Sequence, residues 1–341
     1  MTHHIEFPSL GLQFDVNTTA FTIGSFSVQW YGILIATGFL LAILYASRMC
    51  KKMNISSDAL FDCVIVGLIC GVIGARLYYV IFYPGDKYIN DPISILNIKE
   101  GGLGIYGGII GGLLGGGIMA KIRKIKVTAV LDIASIGFFI GQAVGRWGNF
   151  INQEAFGTST DLPWGMQSAA TALDVVGPVH PCFLYESILC LLGFIFLHFF
   201  TRYLRRYDGQ TFLCYLVWYG TSRFFIESLR TDSLLIPYTD LRVSQAVAAV
   251  TVLAAVVLLV VFARKTSLTG CGSKKVMELN GIKLKDKNDI FGDDVEAGTL
   301  FSELDTEDET AEDAAETTEE AVAEAEVEAE VEAEETAEKE D

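Results

Sequence analysis

VQWYGILIATGFLLAILYAS, residues Val28 to Ser47, runs for 20 residues without a charged side chain. A helix crosses the hydrocarbon core of a bilayer with about 20 predominantly apolar residues, because only a helix satisfies every backbone polar group within one segment. This stretch therefore reads as a transmembrane helix. Six further stretches of the same kind follow along the chain. Asp62–Tyr83 is apolar but contains Arg76, and Gly101–Ala120 is uncharged and rich in glycine. Ala129–Gly145 is shorter and has Asp132 near its start. Pro181–Thr201 carries Glu186, Gln210–Leu229 carries Arg223 and Glu227, and Val243–Ala263 is uncharged.

Loop charge orients these seven spans. Alternate loops hold Arg48, Lys51 and Lys52, then Lys121, Arg123, Lys124 and Lys126, then Arg202, Arg205 and Arg206, then Arg264, Lys265, Lys274 and Lys275. The opposite loops hold only Lys87, Lys99, Arg146, Arg230 and Arg242. The expected fold is thus an all-α polytopic membrane protein with about seven transmembrane helices. Its N-terminus lies outside and its C-terminus in the cytoplasm. The connection from Arg146 to His180 is too long for a turn and is expected to form a small extracytoplasmic head region, short helices included. The first 27 residues lack an apolar core preceded by positive charge, so no cleavable signal peptide is expected.

Composition agrees with a membrane body and separates a second part. Of 341 residues 51% are hydrophobic, and the mean hydropathy is +0.39, too apolar for an ordinary soluble chain of this length. The formal charge of −17 hides a division. From Asp293 to Asp341 there are 23 acidic residues and one basic, whereas residues 1–292 carry 24 basic and 19 acidic. The expected domains are a membrane body over 1–267 and a cytoplasmic, low-complexity acidic tail over 268–341, disordered because like charges repel and little apolar surface can be buried. The seven cysteines form no CxxC pair and read as small buried hydrophobes. No metal cage, phosphate-gripping loop or Ser-His-Asp pattern appears, and no cofactor or nucleic-acid partner is expected.

Four segments combine polar side chains with membrane depth. At the head of the first span, Gln29-Trp30-Tyr31-Gly32 reads either as an interfacial aromatic belt or as a tyrosine beside a glycine that admits a ligand. In Gly101–Gly117, ten of 17 residues are glycine. Small-xxx-small packing explains Gly108, Gly112 and Gly116; a backbone widened around one functional phenol, Tyr106, explains the paired glycines equally well. The third segment, GRWGNFINQEAFG from Gly145 to Gly157, brings Arg146, Asn149, Asn152, Gln153 and Glu154 to a membrane edge. An arginine there can snorkel to water, but the neighbouring amides and acid make that insufficient. Arg146 and Asn149 share a face if the helix continues, and the helix is expected to break by Glu154–Gly157. The fourth is RFFIESLR, Arg223–Arg230, in which Arg223 and Glu227 stand four apart and are expected to pair. Arg230 has no acid at helical spacing, which favours an anion from elsewhere. His180, opening HPCFLYE, is the histidine on the side of these arginines. Several arginines, a tyrosine and amides in the outer half of a bundle suit a lipid with an anionic headgroup.

In these residues the chain resembles the prolipoprotein diacylglyceryl transferases, from about Phe7 to Ala263. The resemblance rests on the WYG start, GGxxxYGGxxGG, GRxGNFINxExxG, HPxxLYE and YGxxRFxxExxR, in that order. It implies transfer of a diacylglyceryl group from phosphatidylglycerol to the thiol of a lipobox cysteine in a preprolipoprotein, with release of glycerol phosphate. The implied partners are phosphatidylglycerol, lipobox signal peptides and membrane lipids, and the implied location is the bacterial cell membrane. Carried over residue by residue, it puts Arg146 and Arg223 at the lipid phosphate. It also makes Tyr31, Asn149, Glu154, Gly157, Glu227 and Arg230 substrate-binding candidates. One departure concerns the base. Many relatives have histidine where this chain has Tyr106, and neutral phenol, with a pKa of about 10 against about 8.5 for cysteine, is a poor base at neutral pH. Tyr106 is expected to donate a hydrogen bond to the phosphate, with a tyrosinate lowered by an arginine, His180 or Glu154 as the alternatives for taking the proton.

Two other functions fit part of the pattern. A transporter or flippase of an anionic lipid would use glycine-broken spans and buried arginines, but the arginine motifs do not align as mirrored halves. A scaffold acting through its acidic tail has no use for the arginines. Leu268-Thr269-Gly270-Cys271 looks like a lipobox, yet it is expected on the cytoplasmic side without a signal peptide and reads as coincidence.

Overall fold

The structure is a computed structural model and describes residues 2–282, apart from 25, 98–100, 234, 236–238, 240 and 241. The acidic stretch beyond 282, most of the expected tail, lies outside the described residues. Strands β1 (Thr2–Phe7), β2 (Leu12–Asn17), β3 (Thr19–Ile23) and β4 (Phe26–Gln29) lead into helix α1 (Trp30–Met53). Then come α2 (Ser57–Ile81), the single turn α3 (Lys87–Asn90), α4 (Ile105–Ile122) and α5 (Val127–Asn152). After β5 (Gln167–Ser168) follow α6 (Cys182–Tyr203), α7 (Gln210–Glu227), α8 (Val243–Val261) and the short α9 (Lys274–Leu279).

Six of these helices, α1, α2, α4, α5, α6 and α8, are long and apolar enough to cross a membrane by length and composition. The remaining expected span forms as α7, 18 residues long, but it is more polar than the others because it carries Gln210, Arg223 and Glu227. The spans are helical as expected, while the strands were not anticipated. They arise where apolar and polar residues alternate before α1. Antiparallel β2-β1-β5 makes one sheet and β3-β4 another. β5 comes from the 146–180 connection, so the head region is built on a strand of the N-terminal segment. Ile5, Phe7, Phe156, Met166, Val179 and Phe183 form its buried core.

The glycine run has a packing explanation that covers the pairs as well as the single row. α4 lies against α2 with Gly67, Gly71 and Gly74 facing it, and a Cβ on Gly107 or Gly111 would collide with the carbonyl of Gly74 or Cys70. Gly108 and Gly116 sit in the next row, where a Cβ would come 3.6 Å from Gly71 O and 3.3 Å from Cys63 O. Both members of each pair within α4 therefore line α2, because a helix row of doubled glycines brings two backbones close over a broad face.

At the other end of α5, Asp132 is fully buried and both its oxygens are used. It accepts from Arg205 Nη1 at 2.8 Å, from the Gly209 amide at 2.7 Å and from the Phe212 amide at 2.9 Å. Arg205, also fully buried, donates onward to the Cys271 carbonyl at 2.9 Å. The Cys271 amide bonds Lys52 O at 2.9 Å, and the Ser273 amide bonds Arg205 O at 2.8 Å. These bonds lie within the compact unit that runs to Ile282. The lipobox-like residues 268–271 are part of this buttress, with Gly270 pressed on the Met53 backbone. All seven cysteines are free, four of them buried.

Candidate functional site

α5 does not stop at Gly145. It runs on to Asn152 and closes at Gln153, which takes the left-handed conformation (φ 55°), followed by Ala155 (φ 58°). Arg146 and Asn149 thus ride on the last turns of a helix. The Asn149 side-chain amide donates to Glu154 Oε1 at 3.0 Å, and the Glu154 amide returns to Asn149 O at 3.1 Å. This reciprocal pair closes the helix end where the sequence offers no glycine for the turn.

The arginines meet at one carboxylate. Glu186, on the first turns of α6, takes Arg146 Nε at 2.5 Å on one oxygen and Arg223 Nη1 at 3.0 Å on the other. Arg223 Nη2 lies 2.6 Å from Glu227 Oε2, one turn along α7, which is the pairing their spacing predicts. Arg230 Nη1 stands 3.7 Å from Glu186. Three helices, α5, α6 and α7, therefore converge through Glu186. Glu186 and Glu227 are 6% and 3% exposed, and a carboxylate so buried is tolerable only when paired.

The anion expected for Arg230 is, in part, a protein carboxylate. α7 ends at Glu227, so Arg230 lies beyond the helix, and its Nε and Nη2 donate to Asp232 at 2.8 and 2.6 Å. Burial works against the Arg230 charge, but the bonds to Asp232 and the nearby Glu186 and Glu227 outweigh it and raise its pKa. The bond to Arg230 correspondingly holds Asp232 below the usual carboxylate range, against its burial.

Gly157 joins the two arginine motifs. Its amide bonds His180 O at 3.0 Å, it bridges Arg230, and the next amide, of Thr158, bonds Leu229 O at 2.7 Å. A Cβ on Gly157 would stand 2.7 Å from the His180 Cβ and 3.0 Å from the Cys182 sulfur, so no side chain fits. His180 is consequently beside this junction, its Nδ1 3.2 Å from the Tyr185 hydroxyl. Partial burial lowers its pKa below that of free imidazole. Tyr31 reaches the same end of α5 by another route: its ring lies on Gly148, where a Cβ would fall within 2.7 Å of Cε2.

Tyr106 stands apart. It opens α4, is 40% exposed, and packs its ring 6.2 Å from that of Tyr78. No hydrogen bond or ion pair joins it to the arginine network among the described residues. Glu186 is the residue that sequence reasoning passed over. A carboxylate inside an apolar span was a signal, but its partners lie on other helices and no spacing could name them. Beside Glu186 and Arg223 a cleft opens between α6 and α7, lined also by Tyr219, Ser222, Trp218 and Cys190. Both Nη groups of Arg146 make no hydrogen bond within the described residues, so its fork remains available to an anion, the geometry in which guanidinium binds phosphate best.

The model of the prolipoprotein diacylglyceryl transferase family matches residues 18–261. The chain belongs to this family. It is similar to the phosphatidylglycerol–prolipoprotein diacylglyceryl transferase of Finegoldia magna, 42% identical over 243 residues that make up 71% of this chain and 94% of that protein. It is likewise similar to the proteins of that name from Clostridioides difficile, 40% identical over 250 residues (73% of this chain, 97% of the relative), and Enterococcus faecalis, 40% over 263 residues (74% and 93%). The matched region contains the whole network built on Glu186, and residues 262–282, which buttress the opposite end of α5, fall beyond the family match.

Proposed function

We propose that the protein transfers the diacylglyceryl group of phosphatidylglycerol to the cysteine thiol of a preprolipoprotein lipobox, the first step of lipoprotein maturation. The sulfur forms a bond to the glycerol carbon, the C–O bond to phosphate breaks with its electron pair on oxygen, and glycerol phosphate leaves. The thiol must lose its proton, since the thiolate is the nucleophile. The leaving phosphate gains charge, so a cation aimed at it stabilises the transition state more than the ground state. The single observation that carries this reading is the convergence of Arg146, Arg223 and Arg230 on buried Glu186, with both Nη groups of Arg146 making no hydrogen bond within the described residues.

In this reading Glu186 holds the guanidinium groups apart and oriented, and the lipid phosphate meets Arg146 and Arg223. Glu227 and Arg230 support Arg223, and Tyr31, Asn149, Glu154 and Gly157 shape the end of α5 against which the lipid lies. Tyr106 donates a hydrogen bond to the phosphate; the tyrosinate alternative loses support because no guanidinium touches its ring. Glu154 is engaged with Asn149, which leaves His180, whose pKa partial burial lowers, as the better candidate for accepting the proton. A transporter of anionic lipid is not favoured, since the similar proteins carry a transferase name.

The membrane arrangement follows the same argument. α7 is long enough to traverse about 27 Å at 1.5 Å per residue and packs between α6 and α8, so it serves as the seventh span with its charges turned inward to Glu186. The excess of basic residues on alternate loops supports an extracytoplasmic N-terminus, a cytoplasmic C-terminus and a site toward the outer face of a bacterial cell membrane. The membrane body is read as residues 1–267 and the acidic tail, 268–341, as a cytoplasmic part. Membranes holding the protein, mixed with labelled phosphatidylglycerol and a lipobox peptide, should yield thioether-linked lipid on the peptide cysteine. Its absence, with the protein correctly inserted, removes the transferase reading.

A further inference from the structure

Arg76 is a charged residue on an apolar span that the arginine network leaves out. It lies one turn before the end of α2 and is 7% exposed. Among the described residues no carboxylate pairs with it. Instead its guanidinium donates to five backbone carbonyls: Nε to Ile95 at 2.8 Å, Nη1 to Gly101 at 2.8 Å and Gly102 at 3.0 Å, Nη2 to Ser94 at 2.8 Å and Asn97 at 2.9 Å. Its Cζ lies 5.3 Å above the Tyr88 ring. All five donors of the fork are thereby engaged, so this arginine has none left for a lipid.

The carbonyls it gathers belong to the segment that delivers Tyr106. Gly101 and Gly102 both have φ near +80° (80° and 79°), a conformation that turns their carbonyls toward Nη1 and that L side chains avoid. A Cβ on Gly102 would stand 2.6 Å from Nη1 itself. Two residues on, the Gly104 amide bonds Ala75 O at 2.8 Å, and Gly104 lies against the Tyr78 ring that flanks Tyr106. The first turn of α4 is thus pinned to the outer end of α2 by the residues next to Arg76. We infer that Arg76 is a positioning residue for the transfer reaction, a five-carbonyl clamp that sets where the Tyr106 hydroxyl stands relative to the lipid. This rests on the reading of Tyr106 as a donor to the phosphate.

The test compares kcat and KM for phosphatidylglycerol in membranes carrying the full chain, with Arg76→Lys, Gly102→Ala, Tyr106→Phe and the two double variants. Lysine keeps the charge but offers a point donor in place of a fork; alanine at 102 disturbs the clamp from the loop side with Arg76 intact. A displacement of about 1 Å costs on the order of 100-fold in rate, so each clamp variant should lower kcat roughly 10- to 100-fold with KM little changed. In the Tyr106→Phe background either clamp change should have almost no further effect on kcat. A merely structural role predicts the opposite, losses that multiply independently of Tyr106, and that result overturns the inference. Tyr106→Phe impaired while Arg76→Lys and Gly102→Ala retain full kcat also overturns it and leaves the donor reading standing. Full activity of Tyr106→Phe removes the donor reading and the clamp's purpose together.

Discussion

α5 carries a charged cluster at each end, and the two are built on different terms. Near its start, Asp132 and Arg205 are sealed, with both carboxylate oxygens and the guanidinium matched to groups on α5, the α6–α7 turn and the 268–273 segment. Near its end, Arg146, Glu186 and Arg223 are paired but incompletely, and among the described residues the Nη groups of Arg146 have no hydrogen-bond partner. A fully matched buried pair ties elements together and offers nothing to a ligand. A partly matched one keeps its charges oriented while leaving donors for a substrate. The contrast separates what holds the bundle from what is expected to act in it.

Substitutions at the two ends should therefore fail differently. The largest effect is expected from Asp132→Ala. It leaves the buried Arg205 charge with Asp208, 3.4 Å away, as its remaining carboxylate, and breaking one side of a buried pair costs up to about 3–5 kcal/mol. The purified protein should unfold at markedly lower temperature, and an unchanged midpoint would mean that the Asp132–Arg205 cluster holds nothing. Next comes Arg146→Ala, for which turnover should fall about 10²–10³-fold, the scale of losing one donor to a developing charge, with the thermal midpoint close to that of the parent. Loss of fold without a specific rate effect would erase the distinction between the ends. Smaller again is Gly111→Ala at the α2–α4 contact. Its added methyl meets the Cys70 carbonyl, and overpacking costs about 1–3 kcal/mol, read as a stability loss that a second small-residue contact cannot repair.

The mildest effect concerns pH. Burial lowers the His180 pKa, so its neutral form, the one able to accept a proton, persists to lower pH than in free imidazole at about 6.5. If His180 takes the thiol proton, kcat/KM should be flat near neutrality and decline only as pH falls below about 6.5. His180→Gln should abolish that limb. A limb centred above 6.5, or one that survives in the glutamine variant, would assign the proton elsewhere.

Much of this molecule was legible along the chain. Uncharged runs such as Val28–Ser47 marked helices because a bilayer admits nothing else that is local. The Arg223–Glu227 pair was readable from its spacing of four, and the end of α5 from the polar residues after Gly145. Less legible were features whose partners are distant in sequence. The glycine pairs of α4 looked divided between packing and function until α2 was seen against both rows. The strands before α1 went unread because their alternation is weak and β1 finds its second neighbour only at Gln167–Ser168.

What the amino-acid order determined by itself was the membrane body, the positions of its helices, the charged residues placed in them, and the family. These follow from local rules: hydropathy over one span, spacing along one helix, motifs read in order. Only the tertiary structure decided that Glu186 is the common partner of Arg146, Arg223 and Arg230, that Arg76 grips backbone and not lipid, and that Tyr106 stands away from the arginines. The physical reason is that a buried charge is satisfied by whatever the fold brings within about 3 Å, and along the chain those partners stand tens of residues away.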